Sequence, residues 1–177
     1  LREAGVTDFG PVRMLSGDGA FTAIEQAVSP ADAPALRKSL EASFAGKADV
    51  CILPSTGRRK KLLISDMDST IIEQECLDEL ADFAGLKAEI SASTERARAG
   101  ELNCEEALRE RVGMLEGLSI ATLETCYRER ITLMPGAETL VATMKAGGAR
   151  CVLVSGGFTY FTSRIAEAAG FHTHQGN

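Results

Sequence analysis

The chain has 177 residues, 45% of them hydrophobic and 25% charged, with a formal net charge of -6. That length holds one ordinary domain, or one domain with part of another. The acidic balance excludes the basic footprint of a nucleic-acid binder, and no apolar run approaches the roughly 20 residues of a membrane helix.

The chain opens Leu1-Arg2-Glu3, without an initiator Met and without a signal-peptide pattern. The missing Met suggests a fragment or a processed chain, expected in the cytoplasm. Cysteines stand at 51, 76, 104, 126 and 151, an odd number with no C-x-x-C pair. Free thiols in a reducing compartment fit that scatter. His172 and His174 form an H-x-H, read here as part of a loop near the chain end rather than as a metal pair.

Residues 1–60 read as a small unit of their own, α+β in character. Residues 10–28 alternate weakly and are rich in Gly. Pro34 to Ala45 predicts a helix, because Leu36, Leu40 and Phe44 share one face before Gly46. Val50 to Leu53 predicts a short strand ended by Pro54. The run Arg58-Arg59-Lys60-Lys61 reads as a solvated linker.

A second unit spans residues 61–177. Leu62-Leu63-Ile64-Ser65 predicts a strand apolar enough to be covered by helices on both faces. A helix follows, with Leu77, Leu80, Ala81 and Ala84 on one stripe, and then a second over Lys87 to Ala99. Asn103 and Glu106 form a capping-box-like start for a third, which Gly117 ends. Ser119 caps a fourth, and Pro135 opens a fifth that closes at Gly147-Gly148. Ala149 to Val154 predicts a second buried strand, and Gly157 to Ala169 a further helix. The order of strand, helical insertion, strand and helix implies a parallel α/β core with the insertion, at about 77–133, packed over it as a cap.

Two motifs sit just past the ends of the two core strands, where open parallel sheets carry their sites. The first is Asp66-Met67-Asp68-Ser69-Thr70. Two carboxylates one residue apart repel each other, and a divalent magnesium ion with oxygen ligands is the usual compensation. One carboxylate can attack phosphorus while the other serves as acid and base. Taken alone, a D-x-D is equally a turn with an Asx cap; the apolar strand before it and Ser-Thr after it favour chemistry. The second motif is Ser155-Gly156-Gly157, in which a hydroxyl and close backbone N–H groups suit a phosphate ahead of a helix N-terminus. By itself it is also a plain Gly-rich turn.

From Lys61 onward the chain resembles the phosphoserine phosphatases of the haloacid dehalogenase superfamily. The matching stretches are Asp66 to Thr70, Gln74-Glu75-Cys76, Gly100-Glu101-Leu102, Arg109-Glu110-Arg111-Val112, Pro135-Gly136, and Val154-Ser155-Gly156-Gly157-Phe158. The resemblance implies a partial Rossmann-like core with a helical cap, and hydrolysis of L-phosphoserine in serine biosynthesis. Asp66 would be the nucleophile and a magnesium ligand, and Asp68 the general acid/base with its carbonyl on the metal. Ser155 and Gly156 would hold the phosphate. Glu75 would read the substrate ammonium and Arg111 its carboxylate, a planar fork being matched to that group. From the pattern alone, Glu75 is also readable as a solvated residue of a first helical turn, and Arg111 as the partner of a nearby Glu.

The chain departs from the family in three places. Cys104 stands where the family tends to carry Phe, which would loosen the pocket. No Lys follows Lys145 and no Asp follows Asp82, whereas the family adds a Lys and a Gly-Asp-Gly beyond the phosphate-binding Ser. The isolated chain is accordingly expected to be nearly inactive. Two rival functions stay open: a phosphatase for another small phosphomonoester, and an inactive piece whose first 60 residues bind a small ligand. A homo-oligomer is left open as well.

Overall fold

The computed structural model describes residues 6, 8–17, 19 and 22–177, leaving aside the side chains of residues 94, 97, 98 and 104. The Cys104 expectation therefore lies outside the described residues. Backbone contacts cluster into two units, Leu1–Arg58 and Arg59–Asn177.

In the first unit, β1 (Phe9–Ser16) and β2 (Ala23–Val28) pair antiparallel. The weak alternation of residues 10–28 thus becomes a hairpin. Helix α1 (Ala33–Phe44) follows, started by the Asp32 side chain accepting from Ala35 N–H and by Pro34 in the first turn. Leu36 is its buried residue. The strand expected at Val50 to Leu53 does not form: the segment has no regular structure, with Cys51 and Leu53 exposed. An apolar run needs a neighbouring strand to become a ladder, and among the described residues none pairs with it. Arg58 is not simply solvated, since it and Arg13 both pair with Glu25. The Arg58 guanidinium leads in holding the Glu25 carboxyl below its usual range.

The second unit is built on β3 (Leu62–Ser65), β4 (Arg150–Val154) and β5 (Thr173–Gln175), all parallel and ordered β3-β4-β5. Strand β5 is short and polar, and so left no apolar run to read. Between β3 and β4 lie α2 (Cys76–Ala84), α3 (Lys87–Arg98), α4 (Cys104–Met114), α5 (Ile120–Arg130) and α6 (Ala137–Ala146). Helix α7 (Thr159–Ala169) links β4 to β5. Local chemistry sets several of these boundaries. Asn103 and Glu106 form both bonds of a capping box, and the Ser119 side chain accepts from Thr122 N–H.

Helices α6 and α7 pack on the β4 face that carries Cys151 and Leu153. Val141, Phe161 and Ile165 bury themselves there with Met67 and Phe171. Full burial of each large side chain stabilises by roughly 1.5–3 kcal/mol. The other sheet face departs from expectation: Leu62 is 53% exposed, Ile64 61% and Val154 39%. Helices cover one face of this sheet and leave the other apolar and open. Among the described residues no helix is long and apolar enough to cross a membrane.

Candidate functional site

Asp66 is the first residue past β3. Its Oδ1 accepts from Met67 N–H at 2.7 Å. The Met67 side chain is buried, while its carbonyl accepts from the amides of Thr70, Ile71 and Ile72 at 3.3, 2.9 and 3.1 Å. That tight turn leaves Asp66 exposed and Asp68 half-buried.

Asp68 is held from two sides. Its Oδ1 accepts from Cys76 N–H, the first amide of α2, at 2.9 Å. Its Oδ2 accepts from Ser155 Oγ, just past β4, at 3.2 Å. Ser155 Oγ in turn accepts from Gly157 N–H at 2.9 Å. The two motifs, 87 residues apart, thus share one bonded network. Burial and the neighbouring Asp68 carboxylate push the Cys76 thiol far above its ordinary range.

The Ser155–Gly157 loop is braced by the residues after β5. Gly157 carbonyl accepts from Asn177 N–H at 2.9 Å, and Asn177 Nδ2 donates to Gly156 carbonyl at 2.8 Å. A Cβ on Gly157 would lie 3.1 Å from Met67 Cε and 3.2 Å from Ser155 Oγ. Only glycine leaves that cradle undisturbed. The helix expected to open at Gly157 begins two residues later, at Thr159.

Glu75 occupies the N-cap position of α2 but makes no capping bond there. Its Oε1 accepts instead from Ser69 Oγ at 2.6 Å. Ser69 sits at φ +49°, a left-handed conformation that costs a non-glycine residue of order 1–3 kcal/mol. The strained backbone turns its hydroxyl onto Glu75. Sequence reading used Ser69 only as a marker of the motif; a serine inside so tight a turn was the signal for a positioning role.

Arg111 stands apart, half-buried on α4, with its Nε donating to its own helix at Ala107 carbonyl, 3.1 Å away. Among the described residues no hydrogen bond or ion pair joins it to Glu75, Asp66, Asp68 or Ser155. Beyond Arg111, an open apolar cavity of about 490 Å³ runs between Val112 and Gly113 of α4 and Phe158, which follows the Ser155–Gly157 loop.

The two histidines serve the fold. His172 Nδ1 accepts from Cys151 N–H at 3.0 Å, and His174, in β5, bonds through Nδ1 with Thr162 Oγ1 at 3.0 Å. Among the described residues no group of three or more His, Cys, Asp or Glu side chains could hold a metal ion.

Asp66 and Asp68 thus follow one parallel strand, and Asp68 is bonded to the Ser155-Gly156-Gly157 loop that follows its neighbour. The family model described as haloacid dehalogenase-like hydrolase matches residues 63–177. The chain belongs to that family. Among curated relatives it is 49% identical to a phosphoserine phosphatase from Polaromonas sp. over 118 residues, 66% of this chain and 50% of that protein. It is 45% identical to a phosphoserine phosphatase from Archaeoglobus fulgidus over 150 residues, 82% of this chain and 43% of the relative. The chain therefore spans about half the length of the curated relatives it matches. Among solved structures, a phospho-aspartyl intermediate analogue of phosphoserine phosphatase superposes with TM-score 0.60 at 38% identity, covering 66% of this chain and 56% of that one. A HAD family hydrolase from Salmonella enterica serovar Typhi superposes with TM-score 0.82 at 29% identity, over 94% of this chain and 59% of that one.

Proposed function

We propose that this protein hydrolyses L-phosphoserine to serine and inorganic phosphate through an aspartyl-phosphate on Asp66. The observation that carries the reading is the network Cys76 N–H, Asp68, Ser155 and Gly157 N–H beside Asp66. Asp66 Oδ1 is engaged by Met67 N–H, so Oδ2 is the attacking oxygen. It bonds to phosphorus as the bond from phosphorus to the serine oxygen breaks. Asp68 gives its proton to that leaving oxygen, then takes one from the water that attacks the aspartyl-phosphate. Phosphate leaves and Asp66 is restored.

The donor set fits magnesium, which takes hard oxygens and is commonly bound by one or two carboxylates together with phosphate and water. Asp66 carboxylate and Asp68 carbonyl would hold it. When bound, the ion neutralises charge on the transferring phosphoryl group. Ser155, its hydroxyl turned from Asp68 to the phosphate, cradles that group with Gly156, while Glu75 receives the ammonium and Arg111 the carboxylate. The last role requires Arg111 to turn away from Ala107. The small phosphomonoester and the cytoplasm belong to this reading, the second in line with the free thiols of Cys51, Cys76, Cys126 and Cys151.

The test is phosphate release under enzyme excess, with magnesium, from L-phosphoserine, glycerol phosphate and an aryl phosphate. The expected result is slow release that favours phosphoserine and vanishes in Asp66→Asn. Arg111→Ala should lose the preference while keeping aryl phosphate hydrolysis. Equal rates across the panel, or release that survives Asp66→Asn, would refute the reading.

A further inference from the structure

The chain crosses into the cap at residues 72–75 and out of it at 131–134. The two crossings are zipped together. Ile72 and Leu133 form an antiparallel bridge, Glu73 N–H donates to Thr132 carbonyl at 3.1 Å, and Met134 N–H donates to Ile71 carbonyl at 2.8 Å. So short a pairing is marginal by itself in water.

The Gln74 side chain closes it. Its Oε1 accepts from Thr132 N–H at 2.9 Å and its Nε2 donates to Thr132 Oγ1 at 2.8 Å. That hydroxyl donates onward to Glu73 Oε2 at 3.1 Å. A carboxamide suits this job, because it offers one acceptor and one donor side by side to a single threonine. The Gln74 main chain faces the other way, its carbonyl accepting from Ser69 N–H at 3.0 Å. Ser69 is the residue whose hydroxyl holds Glu75. Gln74 is thus bonded both to the far crossing of the cap and to the Asp66–Thr70 turn.

We propose that Gln74 is a positioning residue at the cap hinge: by clasping Thr132 it fixes the swing of the two crossings and so keeps Glu75 in place over the Asp66–Asp68 turn. The catalytic consequence rests on the phosphoserine reading; the clasp itself does not. Glu75 and Arg111, which face the amino-acid part of that substrate, hang from the hinge. Asp66, Asp68 and Ser155, which face the phosphate, hang from the sheet. A loosened hinge should therefore weaken recognition of the amino acid and spare the phosphoryl chemistry.

Gln74→Leu tests this in two arms, with Thr132→Val attacking the clasp from its other side should the first variant fail to fold. Hydrogen exchange of the Glu73, Thr132 and Met134 amides should speed up about tenfold or more as local opening becomes easier. The amides of β3 and β4 should stay as they were. The half-saturating concentration for phosphoserine should rise about tenfold while that for an aryl phosphate stays within about twofold, as expected for two lost neutral hydrogen bonds of modest net worth. Gln74→Glu keeps the acceptor for Thr132 N–H but sets an oxygen against Thr132 Oγ1 beside Glu73, so it should return only part of the Thr132 protection. Unchanged exchange at Thr132, or an equal rise for both esters, would overturn the proposal. If the unaltered protein hydrolyses neither ester, the phosphatase reading falls, and the exchange arm still decides the hinge.

Discussion

Ser155→Ala and Asp68→Asn, made singly and together, probe the bond that joins the two motifs. Ser155 Oγ donates to a carboxylate at 3.2 Å and accepts from Gly157 N–H at 2.9 Å. A hydrogen bond to a charged group is worth about 1.5–3 kcal/mol, and this long one belongs at the low end. Gly157 is half-buried, so water can partly replace its lost acceptor. Ser155→Ala should then cost about 2 kcal/mol. Asp68→Asn keeps an oxygen for Cys76 N–H and can donate its amide to Ser155 Oγ, so it should cost only about 0.5–1 kcal/mol by trading a charged bond for a neutral one. With Asn at 68, removing the serine hydroxyl should cost about 1 kcal/mol, which leaves a coupling of about 1 kcal/mol. The assay is urea unfolding followed by tyrosine fluorescence. The chain has no Trp, and its two Tyr, at 127 and 160, both lie in the second unit. The probe is therefore silent to the first unit. A coupling below about 0.3 kcal/mol would mean that Asp68 and Ser155 do not share a bond, since that is the scatter of independent sites.

Two further outcomes are expected. Leu153→Ala, at a fully buried position, should destabilise by about 2–5 kcal/mol, whereas Ile64→Thr, at 61% exposure on the open sheet face, should stay within about 0.5 kcal/mol; similar losses at both sites in urea unfolding would refute the one-sided sheet. Burial, and next the bond to Glu124 at 2.6 Å, raise the Tyr160 phenol above its ordinary value of 10.0. A raised value means the folded state keeps the proton longer, so this stability is present below pH 10 and lost as pH climbs through the folded value. The stability difference between the native chain and Tyr160→Phe, followed from pH 8 to 11 by circular dichroism, should therefore shrink at the alkaline end, and a difference that stays constant would refute the bond.

Local chemistry was legible wherever one residue answers another a few positions away. The Asn103–Glu106 box and the Ser119 cap form where the letters placed them. The carboxylate turn and the Ser-Gly-Gly loop likewise announce themselves, because strand ends and special residue types coincide. Four features escaped for reasons of distance and context. The Val50 to Leu53 run has strand-like letters, but pairing is a property of two segments, and among the described residues none pairs with it. Strand β5 has none of those letters and forms all the same, because the β4 backbone offers it a ladder at Val152–Val154. The exposure of Leu62 and Ile64 was misread because an apolar strand says what it would bury, not what is there to bury it. The Gln74–Thr132 clasp spans 58 residues and follows no periodicity, so only coordinates reveal it. Ser69 lies between these cases: its motif is plain, but its left-handed backbone is not.

The parallel pairing of β3 with β4 also works as a gauge. Adjacent strands sit about 4.8 Å apart, whatever side chains they carry. Asp66 and Ser155 both leave the sheet at the same end of neighbouring strands, with Ser65 opposite Leu153 in the ladder. The gap between Asp66 and the Ser155–Gly157 loop is thus set by main-chain hydrogen bonds that no side-chain replacement short of proline removes. On the phosphoserine reading proposed above, what a molecule carries besides its phosphate is left to helices inserted between β3 and β4, and these can drift in sequence without recalibrating that gap. A scaffold of this kind can change customers while keeping one reaction, and new specificities are best sought by altering α4 and the hinge rather than the strands.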